Sequence, residues 1–191
     1  MSNYVEGIVK KYKHPIGLDV VTKNMLFDPL DQQIQQWAYI NNLSLTDVKL
    51  SGSRAKGTAI SLSTDLDMFI TLSSSNTETL KNIYNSLYTY FSQLGYICRK
   101  QGVSIGITYN NKDVDLVPGR RQDQYSGNHS LYKYRQDSWT QTNIDTHIRI
   151  IKDSYRTEEI VAANVWRYRH KLNFPSIFLE LFTIEALKLK H

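Results

Sequence analysis

Residues 65–72 combine two aspartates with a strictly alternating pattern, and this combination constrains the fold more than any other part of the sequence. Asp65 and Asp67 are separated by one residue, and from Leu66 to Leu72 every second residue is a large apolar side chain. Such alternation predicts a half-buried β-strand, in which residues i and i+2 project from the same face. Two carboxylates on one face of a strand can bind the same hard cation. The segment therefore predicts a strand that begins with a metal-binding pair of acids.

A third acidic residue, Asp115, lies in the apolar run 114–118. An unpaired carboxylate is costly to bury among apolar side chains, so a metal ion or a cationic group is a natural partner for it. Asp113 alternates onto the same face and is the rival third ligand, but Asp115 is preferred. Three carboxylates on neighbouring strands could hold two metal ions about 3.5–4 Å apart. Either Asp115 or bulk solvent would take the proton of an attacking hydroxyl, and the sequence leaves both open.

The Gly52-Ser53 pair, which follows the short apolar strand predicted at 48–50, supplies a candidate phosphate site. Residues 54–59 can form a short helix after this turn, and backbone N–H groups at the beginning of a helix attract anions. Gly52 would let a triphosphate approach the backbone, and the Ser53 hydroxyl could donate a hydrogen bond to it. Taken alone, the paired acids also fit a helix cap followed by a solvent-facing strand residue. The order of strand, glycine-serine turn, short helix, paired acids and third acid favours the catalytic interpretation.

The remaining patterns predict a mixture of helices and one further hairpin. A helix is predicted over residues 28–41, with Asp28 as its N-cap and Pro29 in its first turn. Residues 103–117 predict a hairpin that turns at 110–112. Further helices are predicted at 77–94, 145–154, 157–172 and from 175 onward. The three tryptophans are expected in the core: Trp37, Trp139 and Trp166.

The last predicted helix is still apolar where the sequence stops, at residues 189–191. This pattern indicates missing helical partners, as in a fragment, a split protein or a homo-oligomer interface; the alternative is a terminal helix that docks on the core. No stretch approaches the ~20 consecutive apolar residues of a membrane span. The N-terminus lacks the order of a secretion signal, and the single Cys98 fits a reducing compartment. A cytoplasmic protein with no membrane partner is therefore expected.

The positive charge is concentrated in the second half of the sequence. Basic and acidic residues balance over 1–95, so the whole formal charge of +5 comes from 96–191. There the basic residues are interleaved with tyrosines. Cations neutralise phosphates and aromatic rings can stack on bases, so this composition suits a nucleotide or a nucleic acid. A solvated basic surface with half-packed tyrosines explains the composition equally well.

The motifs described above resemble those of the DNA polymerase β-type nucleotidyltransferase superfamily. The first half of the resemblance is carried by the glycine-serine turn, the paired acids and the third acid, at 52–58, 65–67 and 114–118. The second half looks like the branch that contains the 2′-5′-oligoadenylate synthases, the archaeal CCA-adding enzymes and the bacterial cGAS/DncV-like nucleotidyltransferases. Its segments are 139–143, His147, Trp166 and 174–180. The segment beginning at Trp139 looks more like the bacterial second-messenger synthases than like the CCA-adding enzymes.

This resemblance implies an α+β fold, with a nucleotidyltransferase core whose mixed β-sheet is backed by helices, followed by a helical lobe. It implies a catalytic core over residues 1–119, including an N-terminal helix, and a nucleotide-clamping lobe over 120–191 that is incomplete at its C-terminus. Mg2+ (or Mn2+) is the implied cofactor, and an NTP, ATP in the first place, is the implied substrate. Asp65, Asp67 and Asp115 would be both the catalytic residues and the metal ligands.

Several residues become candidate nucleotide contacts through the same resemblance. Gly52, Ser53 and Lys56 belong to the glycine-serine segment. Ser176, at a Pro-Ser helix start, matches a position that often touches the triphosphate. These residues are expected to hold the phosphates of the bound nucleotide.

One position departs from the pattern of the resembling proteins. Where many of them carry a lysine two residues before the tryptophan, this chain has Asn164. Arg167 or Lys152 could supply the missing cation instead. The nucleotide contacts of the second half therefore differ from the usual set.

The predicted function is transfer of an NMP from an NTP to a hydroxyl group with release of pyrophosphate, in a bacterial synthase of oligonucleotide second messengers such as those of antiviral defence. A template-independent transferase that acts on an RNA 3′ end is the alternative within the class, and adenylylation of a small molecule or protein comes third. An alternative of another class is a nucleotide- or RNA-binding module without turnover. The expected partners of the protein are the NTP substrate and an RNA or nucleotide acceptor.

Overall fold

The computed structural model describes residues 3–63 and 65–188 of the 191-residue chain. Its elements, in chain order, are α1 (Asn3–Tyr12), α2 (Val20–Thr22), α3 (Asp28–Ile40), β1 (Leu45–Leu50), α4 (Gly52–Lys56), β2 (Leu66–Leu72), α5 (Leu80–Gln93), β3 (Cys98–Lys100), β4 (Ile105–Tyr109), β5 (Lys112–Arg121), β6 (His129–Lys133), β7 (Ser138–Thr142), α6 (Ile144–Asp153), α7 (Thr157–Arg169) and α8 (Ser176–Leu187). A π-helical turn, Lys23–Phe27, continues α2 into α3, and a 3-10 turn, Tyr134–Gln136, joins β6 to β7.

The chain divides into two compact units, neither of which is continuous along the sequence. The first, here called the sheet unit, consists of Leu18–Ser51 and Asp65–Ile144. The second, the helical unit, consists of the described residues of Met1–Gly17, Gly52–Thr64 and Asp145–His191.

A seven-stranded mixed sheet forms the centre of the sheet unit. Its main strand order is β1-β2-β5-β4-β3, and β6 extends β5 and pairs with β7. Strands β2 and β5 are parallel, whereas the other pairs are antiparallel. The predicted hairpin is confirmed as β4 and β5, which turn at Asn110 and Asn111 with φ angles of 48° and 58°. Asparagine tolerates this left-handed backbone, which tight hairpin turns require.

The core of the sheet unit lies between one face of the sheet and helices α3 and α5. The apolar positions of β2 at every second residue are buried there, as the alternation predicts, but Phe69 and Thr71 on the other face are buried as well, so β2 is more than half-buried. Helix α3 contributes Leu30, Ile34, Trp37 and Ala38; Trp37 is fully buried, as predicted, and donates from its indole N–H to Ser86. Helix α5 contributes Tyr84 and Phe91 from the same face. The predicted α+β class with a mixed sheet is therefore confirmed.

The helical unit has a smaller core. Val9 of α1 packs with Ile60, and with Val161 and Val165 of α7. A single antiparallel bridge between Lys13 and Ile60 joins the N-terminal segment to the chain that follows α4.

Two sequence predictions are wrong in detail, and one hairpin was not predicted. Asp28 is not an N-cap, because α2 and the π-helical turn run directly into α3 and leave Asp28 in helical conformation; the side chain that caps this region is Asp19, which accepts from the Thr22 N–H at 2.8 Å. The hairpin β6–β7, within residues 129–142, was not predicted, whereas the helix predicted at 145–154 is confirmed as α6. Trp139 and Trp166 are 60% and 50% exposed rather than buried.

The division of the chain at residue 119 stays a prediction. The end of the last predicted helix, at 189–191, lies outside the described residues. Between residues 3–63 and 65–188, no helix is long and apolar enough to cross a membrane.

Candidate active site

The parallel pairing of β2 with β5 brings two of the predicted acids together. Asp67 and Asp115 are direct partners in the register of these strands, flanked by Leu66 opposite Val114 and Met68 opposite Leu116. The flanking apolar residues are buried in the core, so the two aspartates project from the opposite face of the sheet. Ser51, at the end of β1, donates from its backbone N–H to the Asp67 carbonyl at 2.8 Å and extends this row of the sheet.

Asp65 precedes the first residue of β2 and is exposed. Its negative charge acts on Asp115, whose pKa is raised above the ordinary value by burial and, next in size, by repulsion from Asp65. Hydrogen bonding from Gln101 and the charge of Arg99 oppose this rise. A divalent cation placed among these carboxylates would remove the repulsion, and oxygen ligands of this kind are those that Mg2+ prefers.

Asp113, the rival third ligand, already has a cationic partner. Its carboxylate accepts from Arg99 Nη2 at 2.9 Å and from Thr108 Oγ1 at 3.2 Å. The bond from Arg99 lowers the pKa of Asp113 below its ordinary value. Since Asp115 has a neutral amide in place of an ion-pair partner, it remains the better candidate for binding an added cation.

The described residues provide carboxylate ligands, but not a finished metal centre. Within residues 3–63 and 65–188 no three Asp, Glu, His or Cys side chains lie close enough together to hold a metal ion as they stand. The donor chemistry fits Mg2+ or Mn2+, and the negative charge of Asp65 adds to the effect of burial in raising the pKa of Asp115. The ligand set of Asp65, Asp67 and Asp115 accordingly stays a prediction.

In the helical unit, the predicted phosphate residues lie at the beginning of α4. Gly52 has a φ of 60°, a conformation in which glycine is favoured, and Ser53 follows it in a short helical turn. The Ser53 carbonyl accepts from the Thr58 N–H at 2.9 Å. Both Gly52 and Ser53 are partly exposed, so a ligand can reach them.

Lys56, predicted as a nucleotide contact, is buried and already paired. Its Nζ donates to Glu180 Oε2 at 2.6 Å, and Thr58 Oγ1 donates to the other oxygen of Glu180 at 3.0 Å. Burial lowers the pKa of the nearby His147, and the charge of Lys56 lowers it further, against an opposing effect of Glu180. In this conformation the Lys56 ammonium therefore pairs with Glu180 inside the helical unit.

The other predicted nucleotide contacts lie on three different helices. Lys152 is exposed in the last turn of α6, and Ser176 is the first residue of α8. Arg167, in α7, donates from Nη1 to the Phe174 carbonyl at 2.8 Å. Asn164 is buried, with Nδ2 donating to the Thr58 carbonyl at 3.1 Å. Among the described residues, no hydrogen bond or ion pair joins Lys152, Arg167 and Ser176 to one another.

Two residues at these sites were not found by sequence reasoning. Gln101 donates to Asp115 Oδ1 at 3.0 Å, and nothing in its sequence context signals that contact. Glu180 could have been noticed, because it is an acid within the apolar part of a predicted helix, where an unpaired carboxylate is costly.

Comparison with known proteins finds likeness only at the level of structure, since neither the protein-family models nor the curated proteins give a match. The Escherichia coli MS115-1 protein CdnC, in its complex with HORMA-deltaN, is 20% identical to this chain with a TM-score of 0.70, and the match covers 98% of this chain and 64% of CdnC. CdnC with ATP is 20% identical with a TM-score of 0.67, covering 97% and 65%. The Vibrio cholerae DncV cyclic AMP-GMP synthase, in complex with the linear intermediate 5′ pppA(3′,5′)pG, is 15% identical with a TM-score of 0.64, covering 98% and 61%.

These structures are CD-NTases, members of the cGAS/DncV-like branch of the polymerase β-type nucleotidyltransferases. The chain therefore has the nucleotidyltransferase fold that its sequence motifs resemble. It spans less than two thirds of the length of each of the three chains.

Proposed function

We propose that this chain is an NTP-dependent nucleotidyltransferase that makes an oligonucleotide second messenger. The observation that carries this proposal is the β2–β5 register, which sets Asp67 opposite Asp115 on a sheet of the CD-NTase fold. CdnC was determined with ATP and DncV is a cyclic AMP-GMP synthase, which supports an NTP as substrate and ATP as the first to test.

In the proposed reaction, a ribose hydroxyl attacks the α-phosphorus of the NTP. The new oxygen–phosphorus bond forms as the bond to the β-phosphate breaks, and pyrophosphate leaves. Asp65, Asp67 and Asp115 would hold Mg2+ or Mn2+, which when bound would acidify the hydroxyl and neutralise charge on the pyrophosphate. Asp115 or bulk water takes the hydroxyl proton.

The proposed phosphate contacts are the Gly52 backbone, the Ser53 hydroxyl and Ser176. The cationic side chain that contacts the phosphates is assigned to Arg167 or Lys152, because Lys56 would first have to break its ion pair with Glu180. Within the proposed division, residues 1–119 supply the catalytic core and 120–191 the nucleotide-clamping lobe.

The test is incubation of the chain with the four labelled NTPs and Mg2+, with and without RNA, followed by phosphatase treatment. Phosphatase-resistant small products without RNA are expected, and Asp67→Asn should abolish them. Asp153→Asn is the matched control, because Asp153 is an exposed acid at the end of α6 and should leave turnover unchanged.

Two other results would replace this function. Label that appears only on added RNA would make the chain an RNA 3′-end transferase. Absence of product together with retained nucleotide binding in Asp67→Asn would make it a binding module.

A further inference from the structure

We propose that Gln101 is a positioning residue, whose side-chain amide fixes the orientation of the Asp115 carboxylate. This role rests on the proposed function of Asp115. Gln101 follows β3 directly, and its Nε2 donates to Asp115 Oδ1 at 3.0 Å. A carboxylate with one oxygen held in this way can no longer rotate freely, so its second oxygen points in a defined direction.

The orientation of the Gln101 amide is itself fixed. An ionised carboxylate can only accept, so Asp115 selects the NH2 end of the amide, and Ser104 Oγ donates to the remaining Gln101 Oε1 at 3.2 Å. The NH2 end of Gln101 is therefore turned towards Asp115. The two contacts make a short chain of hydrogen bonds from Ser104 through Gln101 to the carboxylate.

The hydroxyl of Tyr84 binds the backbone of Gln101 and Ser104, and so fixes the turn from which the Gln101 side chain extends to Asp115. This fully buried side chain of α5 donates from its hydroxyl to the Ser104 carbonyl at 2.8 Å, and its oxygen accepts from the Gln101 N–H at 3.1 Å. The Gln101 N–H also lies 3.0 Å from the Ser104 carbonyl, which closes the turn between β3 and β4. Burial raises the pKa of Tyr84 to about 12, so the hydroxyl stays protonated as a donor.

Glycine at position 106 provides the space for this contact. Gly106 lies in the register directly between Arg99 of β3 and Asp115 of β5. A Cβ atom at this position would overlap Gln101 Nε2 and would lie 3.2 Å from Asp115 Oδ1. The amide of Gln101 can therefore cross strand β4 to the carboxylate only because residue 106 has no side chain.

The chemistry of the donor matters as well as its position. A lysine or arginine in place of Gln101 would neutralise Asp115 and compete with a metal ion for it. A neutral amide donates a hydrogen bond and leaves the negative charge of the carboxylate available. The neighbouring cation, Arg99, is engaged with Asp113 instead.

The experiment compares Gln101→Ala and Gln101→Glu with the wild type in Mg2+-dependent pyrophosphate release. Loss of a hydrogen bond to a charged group should lower kcat about 10- to 100-fold, with the KM for NTP unchanged. Gln101→Glu keeps the shape of the side chain but cannot donate when ionised, so it should be at least as impaired as Gln101→Ala. A role in packing alone predicts the reverse order.

The matched control is Gln35→Ala. It removes another Gln–Asp hydrogen bond of 3.0 Å, between Gln35 and Asp31 on α3, and should leave kcat unchanged. Gly106→Ala should lower kcat about as much as Gln101→Ala does. Adding Gly106→Ala to the Gln101→Ala variant should cause little further loss of kcat, because the contact that the new Cβ atom would block is already absent. Additive losses, or an unchanged kcat in Gln101→Ala, would overturn the proposal.

A second measurement separates this proposal from the proposed function. The side-chain amide resonance of Gln101, assigned by its absence in Gln101→Ala, should shift in Asp115→Ala and not in Asp31→Ala. If the wild type releases no pyrophosphate, the function fails and this NMR comparison alone decides on the contact. A Gln101 side-chain amide resonance whose chemical shift is unchanged in Asp115→Ala would overturn the positioning role.

Discussion

Replacing Glu180 by Ala is expected to lower the free energy of unfolding by about 3–5 kcal/mol, because it leaves a buried ammonium group without a partner. The side chain of Glu180 is fully buried and that of Lys56 is 8% exposed. In the wild type the carboxylate accepts from Lys56 Nζ at 2.6 Å and from Thr58 Oγ1 at 3.0 Å. Removing it takes the partner from both donors and leaves the nearly buried ammonium group of Lys56 without an ion-pair partner.

Thermal unfolding measures this effect. For a chain of this size, 1 kcal/mol corresponds to a change in Tm of about 2–4 °C, so Glu180→Ala should melt about 6–20 °C below the wild type. The matched control is Glu185→Ala on the same helix, which removes an exposed pair with Lys188. A surface pair of this kind contributes about 0–1 kcal/mol, so the control should melt close to the wild type.

The double variant Lys56→Met/Glu180→Leu separates a stranded charge from a favourable pair. Replacing both partners of a buried ion pair by apolar residues is often neutral or stabilising, so the double variant should recover most of the lost Tm. A loss below about 1 kcal/mol in Glu180→Ala, or a double variant as unstable as the single one, would refute the reasoning.

Three further predictions concern individual residues. Gly57→Ala should lower the free energy of unfolding by about 1–3 kcal/mol in urea titration, because Gly57 has a φ of 77° and a Cβ atom there would lie 2.9 Å from Ile16 Cγ1; wild-type stability would contradict the close approach. Asp115→Asn should abolish turnover and raise Tm. Because the pKa of Asp115 is raised on folding, the ionised wild-type carboxylate opposes folding at pH values above its folded-state pKa, and the gain in Tm should vanish below the ordinary pKa of 3.8. A gain in Tm that is independent of pH would argue against this origin. Tyr84→Phe should cost about 0.5–1.5 kcal/mol in the same titration, because the bond from the hydroxyl to the Ser104 carbonyl is lost while the Gln101 N–H keeps that carbonyl as its acceptor; an unchanged midpoint would show that the hydroxyl does not stabilise this turn.

The strands that carry the acids could be predicted from the sequence because one physical rule governs them. A strand that packs one face on a core requires an apolar residue at every second position, and β2 has one at each such position from Leu66 to Leu72. The β4–β5 turn was predictable for a similar reason, since adjacent asparagines tolerate the left-handed conformation that a tight turn needs. Where local pattern and tertiary environment require the same residues, sequence reasoning was sufficient.

Elements whose form depends on distant or preceding structure could not be predicted. Asp28 and Pro29 have the composition of a helix start, but the chain before them is already helical, so no cap is needed there. The hairpin β6–β7 lies in a segment rich in charged and aromatic residues, and it becomes a pair of strands by extending the edge of β5. Trp139 and Trp166 are apolar enough for a core, but their exposure follows from the position of their elements.

In the candidate site, too, some residues could be predicted from the sequence and others could not. The carboxylates could be identified because their spacing has chemical meaning within a single segment. The groups that hold them could not, because the contact of Gln101 with Asp115 crosses a strand and depends on the absence of a side chain at Gly106. The pairing of Lys56 with Glu180 joins two segments that share no local pattern.

That last pair has a consequence for the order in which the chain acquires its structure. Lys56 and Glu180 are 124 residues apart, and the helical unit collects three separate stretches of sequence. A ribosome delivers residues 18–144, which contain the whole sheet unit, before most of α6 and all of α7 and α8. The sheet unit can therefore collapse during translation, while the apolar face of α1 and the ammonium group of Lys56 await helices that have not yet been synthesised. Because its contacts join stretches that are far apart in the sequence, the helical unit is expected to close after the sheet unit.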